Sequence, residues 1–275
     1  MNNTDVMINN VISLCTKKDL DTWKISSQFI LKNIHSKKYT LIVPEKELHI
    51  FKKNTPRQYV IISEDNYIDF KFFLKKYIPE NKLKMLGWYF QQFIKIEELS
   101  KGKNEDINLI WDADTIPLKN LNFYKDEKIN YYKGTEYHKP YFDFIKRTLN
   151  LEKKNNFSFI AQSFAAKSDW VCSFLRSIEK KNNQLWYEFF IKNIDFSMPN
   201  AFSEYETLGT FFYENYSNKM QILDYKWIRN GNSLIGNIKN LDNKFYMLKD
   251  IHFISFEKTD SKFNKFINYF KKIFN

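Results

Sequence analysis

Cysteine is nearly absent from the chain: Cys15 and Cys172 are the only two in 275 residues, and neither sits in a CxxC or a Cys/His cluster. That argues against a disulfide framework and a structural zinc site, and fits a reducing, cytosolic compartment. Glycine is scarce as well, with six residues and no GxGxxG or GxxxxGKS among them. Rossmann dinucleotide sites and P-loops need those glycines so that backbone can approach phosphate closely, so both are disfavoured. No window approaches the ~20 consecutive apolar residues of a membrane-spanning helix. The opening MNNTDVMINNVISL has neither the charged nor the apolar region of a secretory leader. A cytoplasmic protein is expected, with room for peripheral contact at the inner face of the cell membrane.

Acidic charge is also in deficit, leaving a net charge of +11 and a pI near 9.3. An excess of that size favours phosphate-bearing partners such as nucleotides, nucleic acid or anionic lipid. Lys, Asn, Ile, Phe and Tyr are abundant together, however, as AT-rich coding produces. The charge therefore speaks to association and solubility more than to a site. A hydrophobic fraction of 43% with 18% aromatics suits a packed globular chain.

Short apolar runs alternate with helical stretches in the first half: VISLCT (11–16), YTLIVP (39–44) and QYVIIS (58–63). Continuous apolar runs of this length between helices predict βαβ units and a parallel sheet buried on both faces. A helix follows in KMLGWYFQQFIKIEEL (84–99), then the loop SKGKNED and the strand INLIWDAD. The later chain predicts an extended FYKDEKINYYKG, a helix near 140–150, a strand in FSFIAQSFAAK, helices near 169–180 and 184–193, and a helix over 202–216. Short extended pieces, QILDYKWI and DIHFISF, come next. One α/β domain over 1–257 is expected, with a nucleotide-binding half (10–118), an acceptor half (119–257) and an amphipathic basic helix over 258–275.

The most informative stretch is NLIWDADTIPL. LIW reads as a buried strand end, so Asp112 and Asp114 should stand at its carboxyl edge, where open α/β sheets bind ligands. Two residues apart in extended chain, they point to one side. Two hard carboxylates at a cleft can hold Mg²⁺ or Mn²⁺, with water and substrate phosphates completing the shell. The competing reading is a solvated Asp turn before Pro117.

WDADTIPLKNL, in mid-chain behind a nucleotide-binding half, resembles the DxD motif of glycosyltransferases of the GT-A fold. GWYFQQFIKI upstream, FSEYETLG downstream and a late HF resemble a bacterial group of such enzymes found among surface-polysaccharide genes, over roughly residues 10–255. The resemblance implies a GT-A-like, Rossmann-type central mixed sheet flanked by helices. It also implies a nucleotide-sugar donor of the UDP kind and a divalent ion, Mn²⁺ or Mg²⁺, on the donor diphosphate. Asp114 would be the principal ligand and Asp112 a metal, ribose or sugar contact. His252, in DIHFISF, matches the place of a further metal ligand in that family, against a plain packing role. Thr16 matches the grip on the base, and Glu64 and Asp65 are candidates for base or ribose hydroxyls. Gln91 and Lys95 share a helix face, where Lys95 meets a phosphate oxygen or is simply solvated.

The same resemblance places a general base at the start of a helix in inverting members, with Glu204 and Glu206 as candidates. Ser203-x-x-Glu206 is also a capping box, which accounts for Glu206 structurally and leaves Glu204 free in the first turn. His138 falls in an acceptor-side loop, TEYHKPYF, with solvent as the alternative. Ser168 or Asp169 caps the next helix, and Trp170 packs or stacks on a sugar. Lys262, Lys265, Lys271 and Lys272 flank the apolar stripe of the tail, so 261–274 could dock on an anionic membrane carrying a lipid-linked glycan acceptor, or on the core. Two rivals stand: a haloacid-dehalogenase-type phosphatase, against which Ile116 departs from DxDx[T/V], and a basic nucleic-acid-binding protein, for which no motif is present.

Overall fold

A computed structural model describes residues 7–257. The expected amphipathic helix over 258–275 lies outside the described residues. In chain order the main elements are β1 (Ile8–Leu14), α1 (Leu20–Asn33), β2 (Ser36–Val43), α2 (Leu48–Asn54), β3 (Tyr59–Ser63), α3 (Ile68–Tyr77), α4 (Leu86–Ser100) and β4 (Ile107–Trp111). After these come β5 (Thr115–Pro117), β6 (Tyr124–Lys125), β7 (Lys128–Tyr132), α5 (Lys139–Leu149), β8 (Ser163–Lys167), α6 (Ser168–Asn182) and α7 (Trp186–Asn193). The chain continues through α8 (Glu204–Tyr216), β9 (Met220–Leu223), β10 (Trp227–Ile228), α9 (Gly231–Ile235) and β11 (Phe253–Ser255).

The central sheet has the order β3-β2-β1-β4-β8, parallel except for β8, which runs antiparallel to β4. Val11, Ile12, Leu109 and Ile110 are fully buried, as continuous apolar strands between two layers must be. β1 has β2 on one side and β4 on the other, so the strand order reverses there. In an open α/β sheet the carboxyl ends flanking such a reversal open into the ligand crevice. Leu14 and Trp111 are the last residues of those two strands.

α4 is enclosed rather than amphipathic. Tyr89, Phe90, Gln92, Phe93, Ile94, Lys95, Ile96, Glu98 and Leu99 are all buried, because the helix packs on β1, β4 and β8 and also on α3, α6 and α8. α8 approaches its neighbours as closely. A Cβ on Gly209 would lie 2.2 Å from the Phe159 ring, so only glycine permits that contact. Two smaller sheets complete the fold, β10-β11-β5 and β6-β7-β9. Because β5 pairs with β11, the two halves of the chain are interleaved around the end of β4.

The structure refines several sequence expectations. The FSFIAQSFAAK strand holds only over Ser163–Lys167. Gln162, at φ 60°, takes a left-handed conformation that no strand can continue through. QILDYKWI splits into β9 and β10, and Thr16 lies beyond β1, at the head of a short 3₁₀ turn that its side chain does not cap. Among the described residues no helix is long and apolar enough to cross a membrane.

Candidate active site

The turn after β4 is held from three directions. Thr115 donates its amide to the Asp112 carbonyl (3.0 Å), while the Asp112 amide donates to the Gln162 carbonyl (2.9 Å) and the Phe256 amide to the Asp114 carbonyl (2.9 Å). The Trp111 indole N–H donates to the Thr115 carbonyl at 2.8 Å and closes the loop. The backbone thus fixes both aspartates without using their carboxylates, which line a cavity of about 330 Å³. The stretch is a turn, as the competing reading had it, but its carboxylates face a cavity rather than open solvent.

Lys95 enters this cavity from α4. Its ammonium donates to Asp112 Oδ1 (2.7 Å), Glu204 Oε1 (2.8 Å) and Tyr205 Oη (3.1 Å). Tyr205 Oη in turn donates to Asp112 Oδ1 at 2.8 Å. With 8% of its side chain exposed, Lys95 is not solvated, because α8 closes over that face of α4. Burial pulls the ammonium's pKa down, but Asp112 and Glu204 outweigh it and hold Lys95 well above the usual lysine range.

Glu204 is not free either. It is 4% exposed, its amide is bonded to Gln92 Oε1 (3.1 Å), and its carboxylate is tied to Lys95. Burial raises its pKa against the opposing pull of Lys95, with Asp112 adding to the rise. The capping box is only half formed. Ser203 Oγ accepts from the Glu206 amide at 3.3 Å, but the Glu206 carboxylate turns away to take Ser158 Oγ and the Phe159 amide (3.2 Å). Of the two glutamates, only Glu204 lines the cavity.

Asp114 is perturbed as well. Burial, then the like charges of Asp112, Glu257 and Asp19, push its carboxyl from 3.8 up to about 7, against a bond from Thr115. Six carboxylates line this cavity (Asp19, Asp112, Asp114, Glu136, Glu204, Glu257) against three cations (Lys18, Lys95, Arg229), a formal excess of three negative charges. The chain as a whole is at +11, so the basic excess lies elsewhere. A diphosphate has no electrostatic reason to enter such a cavity alone; a divalent cation does. Among the described residues no three His, Cys, Asp or Glu side chains are grouped to hold a metal by themselves. The donor set therefore fits a hard ion of the Mg²⁺ or Mn²⁺ class on Asp114 and Asp112, which takes its other ligands from water and phosphate, and does not fit a closed protein cage.

His252 does not join this group. It precedes β11, with its carbonyl bonded to the Leu118 amide (2.8 Å), while the Asp114 end of β5 faces the far end of β11. The imidazole stacks on Tyr225 with centroids 4.1 Å apart, and burial and Lys119 lower its pKa. From this strand Ser255 Oγ donates to Asp114 Oδ1 at 3.3 Å, and the carboxylate that lines the same cavity as Asp114 is Glu257, two beyond β11, held by Gln162 Nε2 and Arg229 Nε (2.9 Å). Its signal is legible in HFISFE, a carboxylate directly behind an apolar run, the same pattern that marks LIWDAD.

Thr16, Glu64 and Gln91 come together in an adjoining cavity of about 310 Å³ with Ile42, Trp88 and Phe90. Glu64 is also paired with Lys71 at 2.9 Å. Asp65 is exposed and lines neither cavity; its amide bonds Ser63 Oγ (3.1 Å). His138 lies outside as well, with Nε2 2.8 Å from the Pro199 carbonyl and its ring edge-on to Tyr141. Glu136 and Tyr141, on either side of it, line the main cavity instead. Trp170 is a packing residue, stacked on Tyr216 at 4.4 Å.

No curated protein matches the chain in sequence. Among solved structures it is similar to apo mouse xyloside xylosyltransferase 1, with a TM-score of 0.50 and 9% identity over 92% of this chain and 98% of that one. It is also similar to the galactosyltransferase LgtC in complex with donor and acceptor sugar analogues, with a TM-score of 0.43 and 7% identity over 90% and 86%. At such identity the first likeness shows the fold, the GT-A-type mixed α/β architecture expected from the sequence, and the second adds nothing to it. A family model matches residues 8–262, and the chain belongs to that family, the family of unknown function DUF6492.

Proposed function

We propose that the protein is a metal-dependent glycosyltransferase that moves a sugar from a nucleotide-sugar donor, of the UDP class, to a glycan acceptor. The observation that carries the proposal is the pair Asp112 and Asp114 at the strand-order reversal, facing an acidic cavity beside Lys95, Glu204 and Tyr205. Asp114 and Asp112 would hold the Mg²⁺ or Mn²⁺. When bound, that ion offsets the charge that builds on the departing diphosphate as the glycosidic bond breaks.

The chain's own residues do the rest. Lys95 and Tyr205 fix Asp112 Oδ1, so one carboxylate oxygen is committed and the rotamer is locked before any ligand arrives. Glu204, held at the cavity wall by Lys95 and Gln92, would take the acceptor hydroxyl's proton in an inverting reaction, or anchor the acceptor. Thr16, Glu64 and Gln91 receive the nucleoside at the carboxyl ends of the first strands. An acceptor in bacterial surface-polysaccharide assembly, reached at the membrane through 261–274, completes the reading. A nucleic-acid backbone is disfavoured at this cavity by its negative excess.

The test is thermal melting with Mn²⁺ plus UDP, GDP or CDP against Mn²⁺ alone. A rise with at least one nucleotide is expected. No rise with any of the three contradicts the proposal.

A further inference from the structure

Three cavities lie in series along one groove. The cavity of Thr16 and Glu64 shares Leu14, Lys18, Asp19, Trp88 and Gln91 with the central one, which shares Glu136, Ile160 and Arg229 with a third. The outer two have no lining residue in common. The third, about 450 Å³, is lined by Lys133, Thr135, Glu136, Ile160, Trp227 and Arg229. Its size is that of a small-molecule site, ~300–1,000 Å³.

We infer that this third cavity is a saccharide subsite that seats the acceptor's sugar ring, with Trp227 as its platform. The inference rests on the transferase reading above. Trp227 stacks on Phe253 through one face (centroids 5.2 Å, interplanar 17°), and its indole N–H donates to the Lys133 carbonyl at 2.9 Å. The ring is thus immobilised before any ligand binds, and its N–H is already satisfied. What it presents to the cavity is flat and apolar, suited to the C–H face of a sugar ring.

Around it stand groups of both hydrogen-bonding senses. Lys133 and Arg229 only donate, Glu136 only accepts, and Thr135 does both. A ring hydroxyl also does both, so a polyhydroxyl ligand can use their remaining donors and acceptors beside the Lys133–Asp224 (3.5 Å) and Arg229–Glu136 pairs. An anionic ligand is the poorer fit, because Arg229 is already bound by Glu136 and by Glu257 (2.9 Å). Those same bonds join the loop ahead of α5 to the chain after β11, and place Glu136 on the wall shared with the central cavity. A sugar seated here therefore has its edge at that wall, on the side of Asp114 and Glu204.

The test is saturation-transfer NMR with methyl glycosides of glucose, galactose, xylose and N-acetylglucosamine, run with UDP and Mn²⁺ present. Wild type is expected to saturate at least one glycoside. Thr135→Arg, which places a long cation in the cavity mouth from an exposed position, is expected to lose that signal, as is Trp227→Ala. Should Trp227→Ala fail to fold, Thr135→Arg decides alone. No signal from any glycoside with wild type, or a signal that survives Thr135→Arg, overturns the subsite. The UDP-dependent rise in melting temperature reads the donor side separately. If that rise is present without a glycoside signal, only the subsite falls; a Thr135→Arg-sensitive glycoside signal without the rise removes the transferase reading and keeps a saccharide site.

Discussion

Lys95 is the residue on which the site's electrostatics turn. One ammonium bridges two carboxylates, the half-buried Asp112 and the buried Glu204, that would otherwise repel each other inside the cavity. Removing one partner of a buried ion pair typically costs about 3–5 kcal/mol, because the remaining charge stays buried without a counterion. Lys95→Met is therefore expected to lower stability by about that amount in urea titration, and Lys95→Met with Glu204→Gln to recover part of it. With Glu204→Gln alone closing the cycle, a double variant whose loss equals the sum of the two single losses would show that the two side chains are not coupled. In metal-dependent transfer the same single variant should cost about 10–100-fold, the usual effect of losing the group that orients a ligating carboxylate. None of this was legible in the sequence. Its i, i+4 spacing puts Lys95 with Gln91 on one helix face, but α8, more than a hundred residues later, decides whether that face meets water.

Asp114 makes a second residue-scale prediction. Its carboxyl lies at about 7 in the folded chain against an ordinary 3.8. A carboxyl raised on folding binds its proton more tightly in the folded state, so the metal-free protein loses stability as pH climbs from about 4 to about 7 and carries the full cost above that. Asp114→Asn has no proton to lose. In EDTA its melting temperature should gain on wild type between pH 5 and pH 8, by at least about 2 °C. An unchanged difference at the two pH values would contradict the raised value. Metal binding needs the ionised form, so added Mn²⁺ should stabilise wild type more at pH 8 than at pH 6.

Among the elements, α8 shows most clearly why a motif and a role can part company. Ser-x-x-Glu is a capping signature, and the serine arm forms, but the Glu206 carboxylate is taken by Ser158 Oγ and the Phe159 amide instead. Those donors come from the irregular stretch 157–162, where FSFIAQSFAAK leads one to expect a strand. Close packing of α8 on that stretch depends on Gly209, whose missing side chain admits the Phe159 ring. Gly209→Ala should cost about 1–3 kcal/mol by overpacking. A melting temperature within a degree of wild type would show that Phe159 can move aside. β11 teaches a related lesson. Its short length was readable, but which end meets Asp114 depends on antiparallel pairing with β5, and that register brings Ser255 to Asp114, with Glu257 on the same cavity, and sets His252 apart.

At the scale of the molecule, the architecture was the more legible part. Apolar runs separated by helices dictate a sheet buried on both faces, and the carboxylates behind LIW mark its ligand-binding edge. Charge was the misleading quantity. A net +11 points toward phosphate, yet the cavity at the strand-order reversal carries six carboxylates and three cations. Composition averages over the surface, whereas a site is made by the few side chains that topology gathers. That acidic cavity, on a fold shared with a xylosyltransferase at 9% identity, is the centre of the account.

The most direct test is a nucleotide-release screen over a panel of UDP-, GDP- and CDP-sugars, with Mn²⁺ or EDTA, for wild type and Asp114→Asn. The account predicts Mn²⁺-dependent release from at least one donor by wild type, lower by at least about 100-fold in the variant, the scale on which enzymes lose rate when a charge-stabilising group is removed. No release from any donor, or equal release by the two proteins, would contradict it.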